Sequence, residues 1–208
     1  MAAAPPEVVL VDYGAGNVRS LRAALERAGA RAVLSGDPDR VRAARRLMVP
    51  GQGAAGPAMA RLRADGLDEA IRAAVDDGAH LLGVCVGLQL LFEASDENDA
   101  TCFGFLPGHV RRLDGVARLP HMGWNDVEPA GANGHPLAAE LPTVAYFAHS
   151  FAVLDAGAAT LGTTEVDGVR FASLVGAGRV AGAQFHPERS AAAGEAMLRG
   201  FLAWADAA

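Results

Sequence analysis

The first half of the chain alternates short apolar runs with segments of helical periodicity, and this alternation restricts the fold more than any other feature. Residues 7–11 read as a buried strand, followed by further strands at 31–34, 47–49 and 79–84. Between them, Val18, Leu21, Leu25 and Ala28 recur on one helical face, with Asn17 placed as cap and Gly29 as stop. Asp37-Pro38 supplies the cap and first-turn proline of another helix, and helical patterns follow around residues 59–63 and 67–77. Strands that alternate with helices build a parallel sheet covered on both faces. From about Gly104 the texture changes. Candidate strands at 109–112, 144–147, 160–164, 169–174 and 180–185 are separated by Gly, Asp and Pro, which predicts a mixed or antiparallel half. A last helix over 191–205 places Met197, Leu198, Phe201, Leu202 and Ala205 on one face. With no internal repeat and no low-complexity linker, the expectation is one α/β domain over residues 1–208.

Composition excludes several function classes. The 208 residues are 51% hydrophobic and 20% charged, which excludes intrinsic disorder and suits a core that needs neither disulfides nor structural metal. A net charge of -6 argues against nucleic acid or an anionic membrane as partner, because such surfaces must be basic. All 18 basic residues are Arg, so a Schiff-base lysine, a pyridoxal-phosphate lysine and a P-loop lysine are excluded together. Cys85 and Cys102 can pair at most once, unlike a secreted disulfide scaffold. No basic residue precedes Arg19, so no signal peptide is expected, and the apolar run 81–88 falls far short of the roughly 20 residues that span a bilayer. A soluble, cytoplasmic protein is expected.

Three short stretches can carry chemistry. Gly83-Val84-Cys85-Val86-Gly87 follows a predicted strand and precedes an apolar run over residues 88–92 with helical character. A strand, a sharp turn bearing a nucleophile and a helix form a nucleophile elbow, here with Cys in place of Ser. The following helix N-terminus favours an anion at Cys85, and the amide of Val86 points to where an oxyanion would form. The same Cys also fits a small buried hydrophobe in a core strand. His186 ends the last apolar strand, and Glu188, two residues on, can turn back to hold its imidazole. Read without Cys85, His186-Pro187-Glu188 is more simply an ordinary polar turn at a strand end. Pro50-Gly51-Gln52-Gly53 ends another parallel strand, where ligands collect in open α/β sheets, and its amides are candidates for the second oxyanion donor. The Cys and His residues show no ligand-pair spacing for zinc.

Together, the glycine loop, the Cys elbow with Gln89, and the late His-Pro-Glu resemble the class I, or triad, glutamine amidotransferases. Asp12-Tyr13-Gly14-Ala15-Gly16-Asn17, Pro120-His121-Met122-Gly123-Trp124-Asn125, the stretch from Tyr146 to Phe151 and the stretch from Gln184 to Ser190 resemble the glutaminase subunits of imidazole glycerol phosphate synthase. The resemblance runs from about Val9 to Trp204. It implies a flavodoxin-like open sheet, parallel in its N-terminal half and mixed or antiparallel in its C-terminal half, with helices on both faces.

It also implies a mechanism. Cys85 attacks the side-chain amide of glutamine, His186 protonates the departing ammonia and then activates water against the glutamyl thioester, and Glu188 orients His186. Val86 and the loop of Gly51, Gln52 and Gly53 hold the oxyanion through backbone amides. Gln89, Glu97, Ser150 and Phe151 hold the α-amino and α-carboxylate groups of glutamine. Asn17, Trp124, Tyr146 and Arg189 face a partner, a (β/α)8-barrel cyclase subunit that uses the ammonia to form imidazole glycerol phosphate and an aminoimidazole carboxamide ribonucleotide. No metal, nucleotide or organic cofactor is implied. The chain departs from the family at Gln52 and Ala55, where Val and Phe are common, and at Arg118 and Arg189, where Lys is usual. Three other readings stand beside it: a glutaminase serving another pathway, a scaffold that keeps the fold without catalysis, and a stand-alone cysteine hydrolase fully active without a partner.

Overall fold

A computed structural model describes residues 4–131 and 134–207. The strands, in chain order, are β1 (Glu7–Val11), β2 (Arg31–Ser35), β3 (Arg46–Val49), β4 (His80–Val84), β5 (Ala94–Ser95), β6 (Ala100–Thr101), β7 (His109–Arg112), β8 (His121–Asp126), β9 (Glu128–Pro129), β10 (Val144–His149), β11 (Phe151–Val153), β12 (Thr160–Val166), β13 (Val169–Ala177) and β14 (Val180–Ala183). The helices are α1 (Val18–Arg27), α2 (Pro38–Arg42), α3 (Ala55–Ala64), α4 (Leu67–Asp76), α5 (Val86–Gln89) and α6 (Ala191–Asp206).

The main sheet has the order β2-β1-β3-β4-β14-β13-β12-β9. Neighbours from β2 through β14 run parallel, and β13, β12 and β9 extend the sheet antiparallel. Crossovers between parallel strands are right-handed, so α1, which leads outward from β1 to β2, lies on one face. The connections from β2 to β3 and from β3 to β4 run the other way and lie on the opposite face. The packing agrees: α1 meets α6, while α4 meets α2 and α3. Residues of the central strands are buried on both sides, which is why they read as continuous apolar runs instead of alternating ones. Phe92, Phe147, Phe171, Phe185 and Phe201 fill the core. Two smaller sheets, β8 with β10 and the set β11-β7-β5-β6, flank it.

Three expectations need correction. The apolar run after Cys85 is helical only through Gln89, because the carbonyls of Leu90, Phe92 and Leu91 accept the amides of Phe103, Gly104 and Leu106 from a returning segment. The strand expected over 180–185 stops at Ala183. Asn17 occupies the cap position of α1 but makes no side-chain cap bond; its residue is left-handed, at φ 62°, and its amide points elsewhere. Residues 121–126, read from sequence only as a motif, form β8. Strands β1, β3, β4 and β14 all point the same way, so the segments after them (12–17, 50–54, Cys85 and 184–188) emerge at one edge.

Candidate active site

The turn after β4 is held in a conformation that few side chains adopt. Cys85 sits at φ 54°, ψ -111°, a strained setting for a non-glycine residue, with its amide bonded to the Ala183 carbonyl at 2.8 Å. The flanking glycines make the turn possible. A Cβ on Gly87 would overlap the Val49 carbonyl, and one on Gly83 would overlap the Gly87 carbonyl. The loop after β3 presses on the same turn: a Cβ on Gly51 would lie 2.6 Å from the Val86 amide nitrogen. The expected helix dipole at Cys85 shrinks to the first free amides, since α5 has only four residues.

His186 lies beyond β14, its amide bonded to the Tyr146 carbonyl at 2.8 Å. Nδ1 lies 2.9 Å from Glu188 Oε1, and both side chains are buried. That contact leaves Nε2 for Cys85. Burial opposes a charged ring here, but hydrogen bonds to Cys85 and Glu188, with their charges, hold the imidazole up to about 10. Gln184 Nε2 donates to the Cys85 sulfur at 3.8 Å. Asn17 Nδ2 donates to Glu188 Oε1 at 2.8 Å.

Cys85 and His186 open on a cavity of about 290 Å³ that is also lined by Gly51, Gln52, Gly53, Val86, Gln89, Glu97, Ser150, Phe151 and Arg189. Every residue expected to bind substrate or the oxyanion therefore reaches one cavity. Gln89 Nε2 donates to the Phe151 carbonyl at 2.8 Å and to Gln184 Oε1 at 3.2 Å, which leaves its buried Oε1 without a partner among the described residues. Glu97 accepts the Ala55 amide at 3.1 Å and so caps α3 from across the cavity; burial raises its carboxyl and that bond lowers it, with the net shift upward. His149 also lines the wall, bonds the Phe151 carbonyl through Nδ1 at 3.0 Å and is pushed by burial down to about 3, so it is neutral.

Trp124 and Tyr146 pair across β8 and β10, their rings 6.1 Å apart and edge-on. Trp124 is 54% exposed and Met122, on the same face, 63%. The Arg189 guanidinium lies 3.9 Å over the Tyr146 ring while lining the cavity, so the apolar face and the cavity mouth adjoin.

Sequence reading missed the roles of Gln184 and Tyr13, whose hydroxyl donates to the Pro50 carbonyl at 2.5 Å. It also missed Met122, although the Met122-Gly123-Trp124 alternation is a strand pattern with its apolar side outward.

A cysteine on a strained strand–helix turn, a histidine held by a glutamate, and a glycine loop against the turn define a class of amide-hydrolysing enzymes. The family description "Glutamine amidotransferase class-I" matches residues 9–204, and the chain belongs to that family. It is 46% identical over 201 residues to the imidazole glycerol phosphate synthase subunit HisH of Xylella fastidiosa (strain Temecula1), covering 94% of this chain and 96% of that one. It is 44% identical over 200 residues to the protein of the same name from Xanthomonas axonopodis pv. citri (strain 306), with the same coverage. Among solved structures, it is similar to PurLQS from Thermotoga maritima, with a TM-score of 0.76, 21% identity, and coverage of 96% of this chain and 99% of that one.

Proposed function

We propose that this chain, as one amidotransferase domain, hydrolyses glutamine and passes the ammonia to the cyclase subunit of imidazole glycerol phosphate synthase in histidine biosynthesis. The observation that carries the catalytic part is Cys85, strained at the elbow, facing an imidazole that Glu188 holds from behind. Its high proton affinity suits His186 to take the thiol proton and hold it as imidazolium. The sulfur then adds to the carbonyl carbon, Cδ, of the glutamine side-chain amide, and the negative oxygen develops beside the Val86 amide and the loop of Gly51 to Gly53. His186 returns the proton to the departing nitrogen, so ammonia leaves and a glutamyl thioester remains. Water, deprotonated by the same ring, cleaves the thioester to glutamate and restores the thiol. Gln89 Oε1 and Glu97 are acceptors for the α-ammonium group of glutamine, while Ser150 and Phe151 line its other side.

Delivery follows from the face beside the cavity. Met122, Trp124 and Val144 are exposed and, with the half-buried Tyr146, form an apolar patch on β8 and β10, with Arg189 between it and the cavity. An aromatic anchor in such a patch suits a protein partner. We assign it to the barrel cyclase, in a cytoplasmic heterodimer. No helix among the described residues is long and apolar enough to cross a membrane.

The test is glutamate release from glutamine by the chain alone, with the cyclase, and with the cyclase plus its nucleotide ligand. A sharp rise only in the third condition supports the reading. Equal release in all three makes the chain an uncoupled hydrolase, and release in none removes the glutaminase assignment.

A further inference from the structure

We propose that Asn17 is a positioning residue of the triad: its side-chain amide fixes the Glu188 carboxylate, and through it the ring of His186. This inference rests on the glutaminase reading and gives Asn17 a role inside the chain, distinct from contact with a partner.

Glu188 Oε1 is shared. It accepts Asn17 Nδ2 at 2.8 Å and faces His186 Nδ1 at 2.9 Å, while the buried Oε2 has no hydrogen-bond partner among the described residues. Rotation of a carboxylate about its last torsion meets a low, broad barrier. A turn of the group would carry Oε1 away from the imidazole, and nothing at Oε2 opposes it. The two bonds to Oε1 supply the restraint, and only the one from Asn17 is independent of the catalytic ring. An amide N–H also stabilises the carboxylate as an anion without offering it a proton, which keeps Glu188 able to balance the imidazolium.

Asn17 is itself held for the task. Its left-handed backbone, φ 62°, is a conformation that Asn tolerates better than most residues. The preceding turn is tied to the loop after β3 by the Tyr13 hydroxyl on the Pro50 carbonyl, at 2.5 Å. It is tied to α3 by Arg61 Nη1, which donates to the Gly14 carbonyl at 3.1 Å. A Cβ on Gly16 would overlap the Gln52 side chain, so the segment carrying Asn17 lies directly against the oxyanion loop. Residues from both segments, with His186 and Glu188, surround one small void of about 10 Å³. One turn thus braces both the loop that holds the oxyanion and the acid that aligns the base.

The experiment compares wild type, Asn17→Gly and Asn17→Asp, each with saturating cyclase and its nucleotide ligand. Glycine keeps the left-handed backbone and removes the amide; aspartate keeps the shape and turns the donor into an acceptor facing Glu188. Both variants are expected to lose kcat for glutamate release by roughly 10- to 100-fold, with KM for glutamine unchanged, the pattern of a misaligned base. In the free, nitrogen-15-labelled chain, the His186 Nδ1 proton is expected to be protected in wild type and to exchange rapidly in Asn17→Gly. Asn17→Asp is expected to move the His186 titration upward, because a negative charge has been added. Wild-type kcat and a protected proton in both variants, with only cyclase affinity reduced, would overturn the proposal and leave Asn17 a docking residue. If wild type releases no glutamate, the glutaminase reading fails, while the Nδ1 proton still decides the role of Asn17.

Discussion

Gly87 and Val49 touch across the active site so closely that a single methyl group on Gly87 would collide with the Val49 carbonyl oxygen. The contact locks the turn that bears Cys85, after β4, to the end of β3, from which the Gly51–Gly53 loop proposed to hold the oxyanion departs. Gly87→Ala is therefore expected to separate the two loops, cost about 2 kcal/mol or more in urea unfolding, and remove glutamate release. Wild-type activity in a stable Gly87→Ala protein would show that the turn tolerates separation.

The two cysteines are expected to differ in reactivity. Cys102 is buried, its thiol pushed by burial up to about 11 and bonded to the Ala100 carbonyl at 3.7 Å. Iodoacetamide at neutral pH should alkylate Cys85, which lines the cavity, and spare Cys102, as read by peptide mass spectrometry. Cys102→Ala should keep full glutamate release and cost about 1 kcal/mol of stability.

His149 and His186 give opposite pH dependences. The folded value of His149 is depressed from 6.5 to about 3, so the unfolded chain binds the extra proton and stability falls as pH drops from 6.5 toward 3. The value of His186 is raised to about 10, so its contribution is complete below 6.5 and is lost as pH rises toward 10. The two together favour maximum stability near pH 6.5. His149→Gln should flatten the acid limb of a urea-midpoint profile and leave the alkaline limb in place. An unchanged acid limb would show that His149 is protonated in the fold.

Trp124 should report docking. It is 54% exposed, whereas Trp204 is buried, so its fluorescence should shift to the blue when the cyclase covers β8. Trp124→Ala should leave the fold intact and weaken cyclase binding by about 10- to 100-fold, as loss of an aromatic anchor does. A partner that binds Trp124→Ala as tightly as wild type would move the interface elsewhere.

How much of this was legible in sequence follows from distance along the chain. The elbow could be read because Gly83, Cys85 and Gly87 act within five residues, and His186 with Glu188 within three. Central strands could be read because burial on both faces leaves an uninterrupted apolar run. What stayed hidden was nonlocal: Asn17 and Glu188 are 171 positions apart, and Glu97 caps a helix from 42 positions away. The β8 strand was hidden for another reason. Its apolar residues face outward, at Met122 and Trp124, so its pattern is that of a docking surface more than of a core strand. Apolar periodicity extends the helix after Cys85 too far, because it cannot show that residues 103–106 return to take the carbonyls of residues 90–92.

The most direct test of the account compares two nitrogen sources for one product. In the complex with the cyclase, Cys85→Ala should form imidazole glycerol phosphate from added ammonium salt as wild type does, and none from glutamine. That outcome would place glutamine cleavage at Cys85 and ammonia use in the partner. Continued glutamine-dependent product from Cys85→Ala would contradict the triad assigned here.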